Sequence, residues 1–183
     1  MADLSQFSEG RVAEMVAGVA NYLRDERALY RPTSEPLAEH WKATVELYFA
    51  KALLDAVRTV ILPQGARIPP PYFYAEAMAL SSGTFPDFVH LASVTYIDIV
   101  VFNEAIALRT LFHALVHAQQ FAYLGLEKYA RLYLRGFLKT RSWLRIPLEE
   151  QAFKLEERFM VVPPKPFSVE DEVTLWASQG RYE

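Results

Sequence analysis

Two histidines four residues apart stand inside an apolar, helix-favouring run that extends from Leu111 to Gln120. They are His113 and His117. In an α-helix, residues i and i+4 lie on the same face, one turn apart. Two imidazoles at this spacing can share a tetrahedral metal ion. The run therefore predicts a buried helix with a candidate metal site on one face.

The composition indicates a globular protein of one domain. The 183 residues are 52% hydrophobic and 22% charged, and a chain of this length buries a core without the help of disulfides or a metal. The formal net charge is only −3 and no block of basic residues stands apart, so we expect no nucleic-acid partner. Because the chain has no cysteine, any metal must be bound by His, Asp and Glu.

The beginning of the chain and its apolar runs carry no targeting or membrane signal. Residues 1–6 lack the basic and apolar regions of a signal peptide. The longest apolar runs, such as 97–102 with Asp98 inside it, are far too short to span a bilayer. We therefore expect a cytoplasmic protein with no membrane partner.

Hydrophobic periodicity divides most of the chain into helices. Apolar residues recur at steps of three and four, as is typical of helices that bury one face. Prolines and glycines mark the ends of these helices. The predicted helices run from residue 8 to a break at 31–36, over 35–62, 74–80, 103–125 and 126–137, from 147 to the prolines at 163–166, and over 168–178. Seven residues of the second helix should face inward: Trp41, Val45, Tyr48, Phe49, Ala52, Leu53 and Val57.

Residues 92–102 form the best strand candidate. They are rich in β-branched and aromatic side chains, which favour strands. The whole pattern predicts a mainly α-helical (α+β) fold with one small β-sheet beside the helix that carries the histidines. We expect a single domain over residues 1–183, with an N-terminal helical part (1–62) and a metal-site core over about 92–160.

The surroundings of the two histidines resemble a known family. The segment from His113 to Gly125, followed by residues 146–152, is similar to the gluzincin-type zinc metallopeptidases in their minimal form, often seen as bacterial domains. Members read H-E-L-x-H-x-x-Q, a glycine loop, a second helix, and then a segment like P-x-E-x-E-A. Here Gln151 stands at the second Glu of that segment. The resemblance covers about residues 94–156, a third of the chain, and implies a zincin-like helical domain.

The resemblance implies a zinc site formed by His113, His117 and Glu149. Glu149 matches the first acidic position of the family segment, and the adjacent Glu150 is the alternative third ligand. Two neutral imidazoles and one carboxylate suit Zn²⁺ and leave its fourth position for water. The resemblance also implies a peptide or protein substrate, which would pair with an edge strand at 94–102.

One departure from the family pattern removes its catalytic base. Ala114 stands where the family has the Glu that takes a proton from the attacking water and passes it to the leaving amine. General acid–base catalysis is worth about 10²–10⁴-fold. Glu104, nine residues before His113 on the same predicted helix, is too far away to replace it. We therefore expect an inactive metallopeptidase-like protein, in which Ala114 is either an inactivating substitution or the natural residue of a pseudoenzyme.

Further residues near the motif have both a functional and a structural interpretation. Tyr129 and Tyr133 could donate hydrogen bonds to an oxyanion, or they are core residues whose hydroxyls reach the rim. One of the glutamines at 119–120 could support a ligand, and both also fit exposed positions. The glutamates at 156–157 fit a solvated helix face.

Two other functions compete with the metallopeptidase-like hypothesis. A non-catalytic module could use the cleft and the exposed strand edge to bind a peptide or a partner protein. A helical scaffold could instead contain His113 and His117 as hydrogen-bonded core residues, with no metal at all. Metal content separates the last hypothesis from the other two.

Overall fold

The computed structural model describes residues 8–75, 78, 83–88 and 90–183. Helices and one small mixed sheet make up the fold, which confirms the predicted mainly α (α+β) class. The helices are α1 (Glu9–Tyr30), α2 (Glu39–Val45), α3 (Lys51–Ala56), α4 (Leu108–Leu124), α5 (Leu126–Thr140), α6 (Pro147–Phe159) and α7 (Val169–Ser178), with 3₁₀ turns at Arg31–Thr33 and Trp143–Arg145. The strands are β1 (Glu35–Pro36), β2 (Arg58–Ile61), β3 (Ser93–Tyr96) and β4 (Ile99–Phe102).

Several predicted helices have the ends that their capping residues indicate. The Ser8 hydroxyl accepts a hydrogen bond from the Arg11 amide at 3.2 Å and begins α1, and Ser168 begins α7 in the same way. Such side chains satisfy the first free amides of a helix. Most of the short helix predicted at 74–80 lies outside the described residues. Within the described part of the chain, no helix is both long and apolar enough to cross a membrane.

The long helix predicted over residues 35–62 is wrong. Two short helices, α2 and α3, lie there between the strands β1 and β2. The β-branched run Thr59, Val60 and Ile61 pairs in parallel with β4, so sheet formation overrides the helical pattern. Of the residues expected to face inward, Ala52 is exposed. The others are buried or half-buried: Trp41, Val45, Tyr48, Phe49, Leu53 and Val57.

The sheet has the strand order β1-β2-β4-β3, with β2 and β4 parallel and the other neighbours antiparallel. The single strand predicted at 92–102 is a hairpin, because Ile97 has a left-handed backbone (φ 64°) between β3 and β4. Asp98, in the same turn, forms an ion pair with Arg27 of α1. Strand β3 therefore lies at the edge of the sheet that the described residues form.

Helix α4 runs through the centre of the molecule and packs against α5, α6, α7 and β3. It begins at Leu108 rather than at the predicted Asn103. The Asn103 side chain accepts a hydrogen bond from the Ile68 amide at 2.7 Å and donates to the Leu91 carbonyl at 2.6 Å, so it ties two loops together instead of capping the helix. Glu104 consequently lies outside α4, and its place on the histidine helix was predicted wrongly.

Candidate metal centre

Three side chains from two helices, those of His113, His117 and Glu149, converge in the wall of one cleft. The distance from His113 Nε2 to His117 Nε2 is 3.1 Å, and Glu149 Oε2 lies 3.5 Å and 3.3 Å from these two atoms. Ligands about 2.0–2.1 Å from a tetrahedral zinc ion lie about 3.3 Å from one another. The three atoms therefore have the spacing of three ligands of one ion, and they form a His/His/Glu group that could hold a metal.

The local sequence explains how the two helices present these side chains. Helix α4 carries the histidines one turn apart on the face that meets α6. Pro147 occupies the first turn of α6, where its missing amide hydrogen costs nothing. Glu149 follows in that first turn, where the helix dipole favours a carboxylate. The rival ligand Glu150 points to solvent and pairs with Lys154 at 2.5 Å.

Hydrogen bonds on the outer side of each imidazole orient its ring. His113 Nδ1 lies 2.9 Å from Glu156 Oε2, and His117 Nδ1 lies 2.9 Å from Gln120 Oε1. Because a carboxylate and an amide oxygen only accept, both Nδ1 atoms must donate. When both imidazoles are neutral, the lone pairs of their Nε2 atoms then face Glu149 Oε2. Three acceptors pointing at one another require a shared cation, either a proton or a metal ion.

Glu156 is buried at the site, so its predicted place on a solvated helix face is wrong. It is only 4% exposed, whereas its neighbour Glu157 is exposed as expected. The other carboxylate oxygen of Glu156 forms an ion pair with Arg109, one turn before His113 on α4. A usable signal was present, because Glu149 and Glu156 are seven residues apart and so lie on the same face of a helix.

Two hydrogen-bond networks, one of tyrosines and one of glutamines, support the candidate ligands. The Tyr133 hydroxyl donates to Glu149 Oε1 at 3.0 Å, and the Tyr129 hydroxyl lies 3.2 Å from His117 Nδ1. Gln120 is fully buried, and its amide nitrogen donates to the Leu148 carbonyl and to Gln151 Oε1, each at 3.0 Å. Both tyrosines also line the cleft, so their predicted part in binding an oxyanion stays a prediction.

The charged groups of the site hold one another in their ionised forms. Burial alone lowers the pKa of His113, but the hydrogen bonds and charges of Glu149 and Glu156 outweigh it and raise this pKa to about 9. Burial alone raises the pKa of Glu149, but the charge of His117 and the hydrogen bonds from both histidines hold this pKa well below its usual range. Two buried carboxylates thus stay ionised and require positive charge beside them.

Ala114 lies on the wall of the cleft beside the histidines and is only 1% exposed. The cleft has a volume of about 570 Å³, which is within the range of ligand-binding sites. Its described acidic side chains are Asp87, Glu149 and Glu156, and each already has a partner; that of Asp87 is His90, at 2.7 Å. None of these three is a carboxylate next to His113 on α4, where the family pattern has its base.

The edge strand β3 forms another part of the same wall. Ser93, Val94 and Thr95 line the cleft, and the Thr95 hydroxyl donates to the Ala114 carbonyl at 3.1 Å. This hydrogen bond fixes the free edge of the sheet against the helix that carries the histidines. The edge strand and the three candidate ligands therefore line the same cleft.

Comparison with known proteins gives no match, because no family model, curated protein or solved structure is detectably similar to this chain.

Proposed function

We propose that this protein binds a divalent metal ion, zinc first among the candidates, and uses the cleft above it to bind peptide without hydrolysing it. The observation that carries the proposal is the triangle of acceptor atoms from His113, His117 and Glu149. Its two nitrogens and one oxygen are a donor set that zinc prefers, and its spacing fits tetrahedral coordination. A bound zinc ion would polarise a carbonyl group in the cleft.

The cleft beside this triangle supports a peptide as the ligand. Strand β3 offers one unpaired edge within the described sheet, and main-chain hydrogen bonds to such an edge bind extended peptides. The remaining wall is largely apolar, with aromatic residues such as Phe137 and Phe153. A peptide with large apolar side chains matches that lining.

The methyl group at position 114 argues against hydrolysis. A hydrolase of this type needs a carboxylate beside the first histidine to accept a proton from water. The other described acids of the cleft are engaged with Arg109, His90 or the two histidines. We therefore expect the chain with Ala114, which is called the wild type in the experiments below, to retain peptide rather than cleave it.

Restoring the carboxylate tests this proposal. The zinc-loaded variant Ala114→Glu should cleave apolar peptides at a rate about 10²–10⁴-fold above that of the wild type. The matched control Ala114→Gln has nearly the same shape but no base, and it should stay at the wild-type level. Mass spectrometry of a peptide library, with and without a chelator, measures cleavage.

Two outcomes would contradict the proposal. Efficient chelator-sensitive cleavage by the wild type would show that position 114 needs no carboxylate. Equal inactivity of zinc-loaded Ala114→Glu and Ala114→Gln, with both variants folded, would show that the three ligands do not form a metallopeptidase-type site.

A further inference from the structure

Arg109 is a charged side chain of the cleft whose hydrogen-bonding capacity is largely unused. It stands in the first turn of α4, one turn before His113. Its side chain lines the cleft and is 61% exposed to solvent. Its Nε donates to Glu156. In the described part of the chain, the two terminal nitrogens of its guanidinium group have no hydrogen-bond partner.

The position of Arg109 is fixed relative to the metal ligands. Glu156, only 6% exposed at its side chain, contacts Arg109 through one carboxylate oxygen and His113 Nδ1 through the other. The guanidinium group is therefore held at a set place beside the candidate metal centre. Preorganised guanidinium nitrogens are suited to bind a carboxylate through two parallel hydrogen bonds.

The balance of charge favours an anionic group at this place. Within the cleft lining, a divalent ion at the candidate centre, the carboxylates of Glu149 and Glu156 and the Arg109 guanidinium would together carry one net positive charge. Glu157 also acts on Arg109, but it does not line the cleft. Asp87 and Arg141 also line the cleft and offset each other in charge. A peptide amino terminus would bring a second positive charge and would find no unpaired carboxylate among the described lining residues.

We infer that Arg109 binds the carboxyl terminus of the peptide ligand, so that the cleft accepts the free C-terminal end of a chain. The inference rests on the proposed function, because it concerns the ligand of the same cleft. The helix dipole at the beginning of α4 adds to the attraction for the terminal carboxylate. The specificity is thus for the end of a chain and not for an internal segment.

The terminal residue of the ligand should carry a large apolar side chain. Phe153 lies on α6 between Glu149 and Glu156, and its ring centroid is 4.5 Å from that of His113. The ring centroid of Trp143 lies 6.3 Å from that of Phe153. Both rings line the cleft, and they offer an aromatic surface next to the residues that fix Arg109.

A pair of otherwise identical peptides tests the inference. The probe is an apolar pentapeptide ending in phenylalanine, with a fluorescent label at its amino terminus, prepared as the free acid and as the C-terminal amide. Fluorescence anisotropy with the zinc-loaded full chain measures both dissociation constants. We expect the acid to bind about tenfold to hundredfold more tightly than the amide, as a charge-assisted hydrogen bond predicts.

Three variants assign the preference to Arg109. Arg109→Gln should bind acid and amide equally, and Arg109→Lys should keep part of the preference because it keeps the charge. Arg24→Gln is the matched control: Arg24 is an exposed arginine that pairs with Glu127 at 3.1 Å and does not line the cleft. It should keep the full preference. The zinc content of each protein is measured before titration, since Arg109 also contacts Glu156.

The outcomes distinguish failure of the inference about Arg109 from failure of the proposed function. Zinc binding with equal affinity for acid and amide overturns the inference and leaves the proposed function standing. A preference for the acid that persists in Arg109→Gln also overturns it, because the carboxylate then binds elsewhere. Failure of the wild type to bind zinc, or to bind either peptide, overturns the proposed function and the inference together.

Discussion

Among single residues, Glu156 controls how the first histidine is presented. Its carboxylate accepts the Nδ1 hydrogen of His113 and so directs Nε2 toward His117 and Glu149, where the proposed metal ion would bind. Loss of such an outer partner costs about 10–100-fold in metal affinity. We therefore expect Glu156→Gln to weaken zinc binding by about tenfold or more, measured by competition with a chromogenic chelator.

Glu157→Gln is the matched control for this change. It removes the same charge from the neighbouring exposed position and should leave the zinc affinity within about twofold, because an exposed charge contributes little. Equal zinc affinities of the two variants would show that Glu156 does not support zinc binding through His113.

The raised pKa of His113 gives the metal affinity a defined pH dependence. The metal needs the neutral imidazole, and with a pKa of about 9 the proton occupies His113 throughout the neutral range. Zinc must then displace one proton, so the affinity should rise about tenfold for each pH unit up to about 9. Titrations at several values between pH 6 and 8 measure this slope. A plateau above pH 7 would mean that His113 has an ordinary pKa.

The sequence predicts the three candidate ligands that the structure brings together, but not the residues that support them. His113 and His117 follow from helical spacing, and Glu149 from the family segment. Two adjacent glutamates usually mark an exposed face, so the pattern predicts both Glu156 and Glu157 in solvent. The packing of α6 against α4 buries Glu156 and leaves Glu157 exposed. Contacts between helices decide whether such a residue is buried, and a local sequence pattern carries no information about these contacts.

Among the elements, the joint between α4 and α5 positions the two tyrosines against the site. Gly125 connects these helices with φ 74° and ψ 161°, a conformation that is nearly exclusive to glycine. Apart from its two chain neighbours, no described residue has an atom within 4 Å of the place that a Cβ would take. We expect Gly125→Ala to lower the free energy of unfolding by about 1–3 kcal/mol through backbone strain alone, measured by urea denaturation.

A helical glycine provides the opposite result as a control. Gly18 lies inside α1, where a Cβ would meet the Tyr72 hydroxyl at 3.8 Å, an ordinary contact. Gly18→Ala should stabilise the protein by about 0.5–1 kcal/mol, because alanine favours the helix. If Gly125→Ala proved as stable as the wild type, the joint would not depend on glycine.

Elements whose ends carry strong local signals are the ones that the sequence predicts well. Helix α1 follows Ser8, α5 follows Gly125, and α6 begins at Pro147. The segment at 35–62 fails because its apolar residues fit a helical period, while its last part is buried by pairing with a strand about 40 residues further along the chain. Such a long-range pairing leaves no local signal.

At the scale of the whole molecule, the fold gathers its chemistry around α4. Most of this helix is buried by its contacts with α5, α6, α7 and the sheet, and it is the element that carries both histidines, Ala114 and Arg109. The free sheet edge, the candidate metal centre and the apolar wall open into one cleft. A single site therefore combines a candidate metal centre, a main-chain edge and an apolar surface, which are the features that the proposed metal-dependent peptide binding needs.

The metal content of the purified protein tests this account most directly. Elemental analysis of untagged protein, after exposure to zinc and removal of the excess, should find about one zinc ion per chain. The ion should be lost in His117→Ala and retained in His40→Ala, which changes an exposed histidine outside the cleft. A protein without stoichiometric zinc, or one in which both variants retain it equally, would contradict the account.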